Sequence, residues 1–340
     1  EFTIHKNDAD QRLDRFLLKA VPLLPASLAQ KYIRLKRIKV NGARAERDYR
    51  LREGDRLQLY LNDEFFETPS EENVYLTIAN PKLHILYEDE NILLLDKPAG
   101  MVVHADEGEK VNTLVNHLLA YLYQKREWKP REENAFTPAL CNRIDRNTGG
   151  IVIAAKNAEA LRVLNEKIRE RELSKFYLCI CLGRPEPPKG RIECFLRKDS
   201  KTNTVRVYHH PVPDGRSAVT LYETLETRDR LSLVEVELLT GRTHQIRASF
   251  ADMGHPLLGD GKYGVGSVNR RYGETQQALY SYRLRFDFPT DAGILNYLRG
   301  REFIADEVPF RRKYFGWLNT TWLPPRECIV FMLWMNASMD

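Results

Sequence analysis

Apolar positions near the start of the chain fall at helical spacing, and farther on they change to strand-like alternation. Gln11 to Leu18 carries apolar residues spaced for a helix, and Ser27 stands as an N-cap for a second helix that turns Leu28 and Ile33 inward. Lys31, Arg34 and Arg37 recur every three residues on the other side of that second helix. Lys39-Val40-Asn41-Gly42 reads as a strand entering an Asn-Gly turn, and Leu51 to Tyr60 as a turn followed by an alternating strand. Asp63 to Pro81, acidic and holding Pro69 and Ser70, reads as a linker with few contacts across it.

Beyond it, Leu83 to Tyr87 and Ile92 to Leu95 flank Glu88-Asp89-Glu90-Asn91 as a hairpin. Val111 to Leu122 places Leu114, Val115, Leu118 and Leu119 on one helical face. Ile151 to Ala155 is a buried strand, and the helix after it carries Leu161, Leu164 and Ile168. Further strands are expected at about 175–182, 204–208, 217–223 and 231–239, with a helix over 243–253. Strand runs outnumber helices and do not alternate with them. The pattern therefore predicts an α+β fold: a mixed, largely antiparallel sheet with flanking helices, preceded by a small helical-plus-strand domain. The expected divisions are 1–62, a linker 63–81, a larger domain 82–315 and a tail 316–340.

Charge changes this picture more than composition does. The 340 residues are 43% hydrophobic and 29% charged, a globular balance, and the longest apolar run is far too short to span a bilayer. The net charge of +5 is unevenly placed. Residues 1–62 hold 14 Lys/Arg against 8 Asp/Glu, an excess of +6, while the remainder balances at −1, with 38 against 39. Localised positive charge suits a polyanion-binding module, although a solvated helix face would read the same way. Five cysteines (Cys141, Cys179, Cys181, Cys194 and Cys328) lack regular spacing and suit reduced thiols, so a cytoplasmic protein is expected.

Candidate chemistry centres on Arg143-Ile144-Asp145-Arg146-Asn147-Thr148-Gly149-Gly150, which leads into the buried strand. By itself this run equally describes a turn held by local ion pairs. Three further stretches accompany it: Asp96 to His104 with its Lys-Pro-Ala-Gly, Lys175-Phe176-Tyr177-Leu178, and Thr240-Gly241-Arg242-Thr243-His244-Gln245-Ile246-Arg247 followed by Gly254 to Asp260. In this order and spacing they resemble the RluA family of pseudouridine synthases, over roughly Leu83 to Phe288. The Arg12-Leu13-Asp14-Arg15 opening, the basic second helix, Val40-Asn41-Gly42 and Gly54-Asp55 resemble an αL-type RNA-binding domain. Two positions depart from the family pattern: Asn142 stands where histidine is common and Gly149 where serine is usual. The segment Gly264 to Gln277 reads as a polar insertion of unassigned role.

The resemblance implies an isomerase acting on structured RNA. It makes Asp145 the reacting carboxylate, Tyr177 the tyrosine that stacks on the uracil, and Arg247 the guanidinium that keeps Asp145 ionised. Arg143 would fill the gap left by an extruded uridine, since enzymes acting on a base generally take it out of the stack. Arg12, Arg15, Lys31, Arg34, Arg37, Arg242, His244 and Gln245 are the remaining expected RNA contacts. Whether the carboxylate attacks the sugar or base, or abstracts a sugar proton, stays open. A redox-neutral isomerisation needs no cofactor, and His244 and His255 lack metal-site spacing, so no metal is expected. Gly254 to Lys262 nearly spells a phosphate loop, but Asp260 occupies the lysine's place. Ribosomal RNA is the favoured partner, transfer RNA the second, with no membrane or nucleotide cofactor and a monomeric chain. The competing readings are an RNA-binding or ribosome-assembly protein without activity, and a metal-dependent RNA hydrolase.

Overall fold

A computed structural model describes residues 1–5, 8–68, 70, 72–130, 136–199 and 202–316. The expected tail from residue 317 onward lies outside them, as does Cys328. The first elements are β1 (Phe2–Thr3), α1 (Leu13–Ala20), α2 (Ala26–Arg34), β2 (Ile38–Val40), β3 (Ala43–Arg44) and β4 (Arg56–Leu59). Their strands form a four-stranded sheet in the order β1-β4-β2-β3. Leu13, Phe16 and Leu17 of α1 and Leu28, Ala29 and Ile33 of α2 are buried, as the spacing predicts. Two details differ. Pro25, not Ser27, is the N-cap of α2, because its extended backbone leads straight into the first turn. The helix also ends at Arg34, so Arg37 lies past it and is not on its face.

Residues 63–81 do not form a bare tether. They hold two single 3-10 turns, Asp63–Phe66 and Val74–Thr77, and bury Phe65, Tyr75, Leu76 and Ile78. The Phe65 ring lies 6.4 Å from Tyr32 of α2 and 6.4 Å from Tyr123. Tyr75 packs on Tyr123 at 5.6 Å and on Trp128 at 5.1 Å. The Asn62 amide donates to the Tyr123 hydroxyl at 2.7 Å. Reading the stretch by its acidic residues hid these apolar ones, whose burial stabilises by roughly 1.5–3 kcal/mol each.

The chain then forms β5 (Ile85–Glu88), β6 (Ile92–Lys97), α3 (Leu114–Lys125), β7 (Ala139–Leu140), β8 (Gly149–Ala155) and α4 (Ala158–Arg169). Thr113 caps α3 by accepting from the Asn116 N–H, and Asn157 caps α4 by accepting from that of Ala160. Next come β9 (Leu173–Leu182), β10 (Lys189–Asp199), β11 (Thr204–Tyr208), β12 (Arg216–Arg228), β13 (Leu231–Leu238), α5 (Gln245–Asp252), α6 (Gly266–Tyr272), β14 (Leu279–Phe286), β15 (Glu302–Ile304) and α7 (Pro309–Phe315). Two compact units result: residues 1–175 with 281–305, and residues 176–280 with those from 306 on. In the first, strands run β14-β8-β6-β5, with β7 on β8 and β15 on β14. Strand β8 is buried throughout, and Gly150 lies so close to β14 that a Cβ would sit 2.1 Å from the Ser281 carbonyl oxygen. In the second, β11-β10-β12-β13-β9 pair antiparallel throughout. The long strands β10 and β14 and the short strands β1, β3, β7 and β15 are additions to the expected set.

Candidate active site

In the first unit, Asp145 sits half-buried on the loop between β7 and β8. Its carbonyl accepts from the Thr148 N–H at 3.0 Å, closing the turn that delivers the chain into β8. Asn142, the departure beside it, has a structural use. Its Oδ1 accepts from the Ile153 N–H at 2.8 Å, which anchors the loop to β8. Arg143 is exposed, and its charge joins burial in pulling the pKa of half-buried His104 down, burial being the larger cause. Arg146 turns away to Asp106, its Nη2 donating to Oδ2 at 2.7 Å and to Oδ1 at 2.9 Å.

Lys97 is the residue here that sequence reasoning passed over. It is fully buried at the end of β6, and its Nζ donates to the carbonyls of Pro98 at 3.0 Å, Met101 at 2.7 Å and Arg146 at 3.0 Å. The Gly100 N–H also donates to the Arg146 carbonyl, at 2.8 Å. The Lys-Pro-Ala-Gly loop is therefore laced to the loop carrying Asp145 through one ammonium. Burial pulls the Lys97 pKa down to about 7; the charges of Asp145 and Asp96 oppose this and that of Arg146 adds to it. The sign follows. An unfolded lysine keeps its proton to about 10.4, so between pH 7 and 10 the unfolded chain binds more protons and this group adds stability as pH rises. Relative to Lys97→Met, the wild type should gain on the order of 3–5 kcal/mol from pH 6.5 to 10. Urea unfolding of both proteins across that range checks it; parallel pH curves would show that Lys97 does not titrate there.

In the second unit, Tyr177 lies on β9 opposite Val236 of β13 and is buried. Arg247 lies in α5, also buried, and its guanidinium grips Asp260 with Nε to Oδ2 at 2.7 Å and Nη2 to Oδ1 at 2.9 Å. Asp260 is 1% exposed. Burial pushes its carboxyl up, but Arg247 and the N–H groups of Lys262 and Tyr263 outweigh that and hold it below the ordinary carboxylate range. The aspartate that spoils the phosphate-loop reading is thus a partner of Arg247, and the sequence signal for it was its place in the Gly254 to Asp260 block. Tyr263 adds its ring at 5.4 Å from the guanidinium.

The expected RNA contacts divide. Arg15, Lys31 and Arg34 are exposed on α1 and α2. Arg12 is paired with Asp14 at 2.7 Å. Arg37 donates to the Tyr60 carbonyl at 2.9 Å and lies 4.8 Å over the Tyr32 ring. Arg242 donates to the Ser217 carbonyl at 3.1 Å, and His244 Nδ1 meets the Tyr263 hydroxyl at 2.8 Å. Gln245 is spent within the protein. It is buried, accepting from the Thr240 hydroxyl and the Arg242 N–H and donating to the Val219 carbonyl and the Thr220 hydroxyl, so its amide is fully used in starting α5. Exposed Lys31 and Arg34 give a test of the small domain. Lys31→Gln with Arg34→Gln should lower the log–log salt slope of RNA binding by about 1.4–1.8, since each phosphate contact supplies about 0.7–0.9. An unaltered slope in filter binding would remove them from the RNA interface. Cys141 is not a rival nucleophile, because burial pushes its thiol up to about 12.

Comparison with known proteins identifies the family of the chain. Residues 91–252 match the RNA pseudouridylate synthase family and residues 11–57 the S4 domain. The chain belongs to the RNA pseudouridylate synthase family, an isomerase family, with an RNA-binding S4 domain ahead of the synthase region. It is 33% identical over 289 residues to an uncharacterized RNA pseudouridine synthase of Mycoplasma genitalium, covering 84% of this chain and 88% of that one. It is 32% identical over 298 residues to the ribosomal large subunit pseudouridine synthase C of Haemophilus ducreyi, covering 86% and 88%. Among solved structures, human RNA pseudouridylate synthase domain containing 1 has a similar fold, with a TM-score of 0.54 at 23% identity over 73% of this chain and 88% of that one.

Proposed function

We propose that the chain isomerises specific uridines of large-subunit ribosomal RNA, with Asp145 as the reacting carboxylate. The observation that carries the reading is the loop of Asp145, set at the head of a wholly buried strand and held from behind by Lys97. The relatives named as ribosomal large subunit synthases support the choice of RNA. In the reaction the bond from ring nitrogen 1 to the sugar breaks and one from ring carbon 5 forms. The proton on carbon 5 leaves and nitrogen 1 ends protonated, so nothing is oxidised or reduced. Asp145 serves as nucleophile or base, splitting one hard step into easier ones. Tyr177 receives the extruded uracil and moves the carbon 5 proton, Arg247 favours the ionised carboxylate, and Arg143 fills the vacated stack. The test is to incubate the purified chain with unmodified transcripts of large-subunit ribosomal RNA and of transfer RNAs and to map pseudouridine by carbodiimide-blocked primer extension. Sites in transfer RNA alone would redirect the substrate assignment, and none in either RNA would overturn it.

A further inference from the structure

The segment from Gly264 to Gln277 lies beyond the residues matched to the synthase family, which stop at Asp252. Yet it touches the partner of Arg247. Helix α6 within it buries one polar side chain, Asn269. The Asn269 Oδ1 accepts from the Gly259 N–H at 2.8 Å, and its Nδ2 donates to the Asp260 main-chain carbonyl at 3.1 Å. The far limb of the segment closes over the same turn. Gly259 has a φ of +77°, and a Cβ there would lie 2.0 Å from the Gln276 carbonyl oxygen. At the near limb, a Cβ on Gly264 would lie 2.3 Å from the Asp260 carbonyl oxygen. The Asp260 carboxylate meanwhile takes Arg247 on one side and the N–H groups of Lys262 and Tyr263 on another.

From this we infer that Gly264 to Gln277 is a positioning element, in which Asn269 fixes the Gly259-Asp260 turn and, through the Asp260 carboxylate, the guanidinium of Arg247. The inference rests on the role proposed for Arg247. Only an amide fits the place, because the turn offers one donor and one acceptor side by side. Aspartate would keep the bond to Gly259 and set an oxygen against the Asp260 carbonyl, and alanine would leave the Gly259 N–H unsatisfied in a buried site and the Asp260 carbonyl held by the Gly264 N–H alone. A bidentate pair fixes direction as well as charge, so a shift of the turn redirects the guanidinium.

The test uses the full chain and two readings. In nitrogen-15 spectra, with the Arg247 Nε–H assigned by its loss in Arg247→Lys, solvent exchange of that proton should be at least about tenfold faster in Asn269→Ala. The backbone amides of β12 and β13 should keep their wild-type rates, and Asn269→Asp should fall between. On large-subunit ribosomal RNA transcript, kcat of Asn269→Ala should fall about tenfold while KM stays within about twofold, roughly the cost of a modest misplacement of a reacting group. Unchanged Arg247 exchange overturns the inference, as does equal acceleration across β12 and β13, which would make Asn269 a general stabiliser. Faster exchange with unchanged kcat also overturns it. If the wild type forms no pseudouridine, the functional reading fails, while the exchange measurement still decides whether Asn269 holds Arg247.

Discussion

Asp145→Asn is expected to fold, bind RNA within a few-fold of the wild type, and form no measurable pseudouridine. The amide is nearly isosteric with the carboxylate, and several bonds that do not involve the Asp145 side chain hold the loop. They are the Thr148 N–H bonded to the Asp145 carbonyl, Asn142 anchored on β8, and Lys97 bonded to the Arg146 carbonyl. What vanishes is a group able to attack carbon or take a proton, a loss of at least about 10⁴-fold at the upper range for such groups. Single-turnover assays on an RNA modified by the wild type check it. Residual turnover within about a hundredfold of normal would remove Asp145 from the reaction.

Asp260→Asn carries the second large effect, on stability and turnover together. Neutralising one member of a buried, bidentate pair breaks its charge match to the Arg247 guanidinium in the interior, which costs about 3–5 kcal/mol. Turnover should drop at least about a hundredfold, the cost of misplacing a reacting group by about an ångström. The pH dependence gives an independent check. Because Asp260 is held below the ordinary carboxylate range, its stabilisation is present at neutral pH and is lost as pH falls below about 4. The stability gap between wild type and Asp260→Asn should therefore close on acidification. A gap that persists unchanged to pH 3 would show that the pair is not an ion pair.

The hairpin of β5 and β6 and the buried strand β8 were legible in the sequence because each is an apolar run bounded by turn residues. Strand β14 was not, since Arg283 and Arg285 interrupt its apolar positions and a polar segment precedes it. Strand β10 is half-exposed along most of its length, so its charged alternation resembles a loop. From the order of its motifs the resemblance proposed Asp145, Tyr177 and Arg247. It carried Asp260 and Lys97 inside its motifs without a role, because their importance lies in which groups they meet after the chain folds. Gln245 shows the converse, because a polar residue inside a motif looks like a ligand until its amide is seen to be spent on the protein. Asn269 lies between these cases, a polar residue in an unassigned segment whose use depends wholly on a turn ten residues earlier.

The aromatic packing of Phe65 and Tyr75 on Tyr123 has a further consequence. A free tether of 19 residues would let its ends wander over about 25 Å, so a domain on it would act only by raising local concentration. Here α2, with Lys31 and Arg34, and the loop of Asp145 belong to one packed unit. Ring contacts hold the two together, which is the condition for the small domain to act as a caliper. On the RNA contacts proposed for Lys31 and Arg34, such a caliper would measure how far along a folded RNA the reactive uridine lies from the gripped phosphates, and two uridines in identical local sequence would be told apart by distance alone.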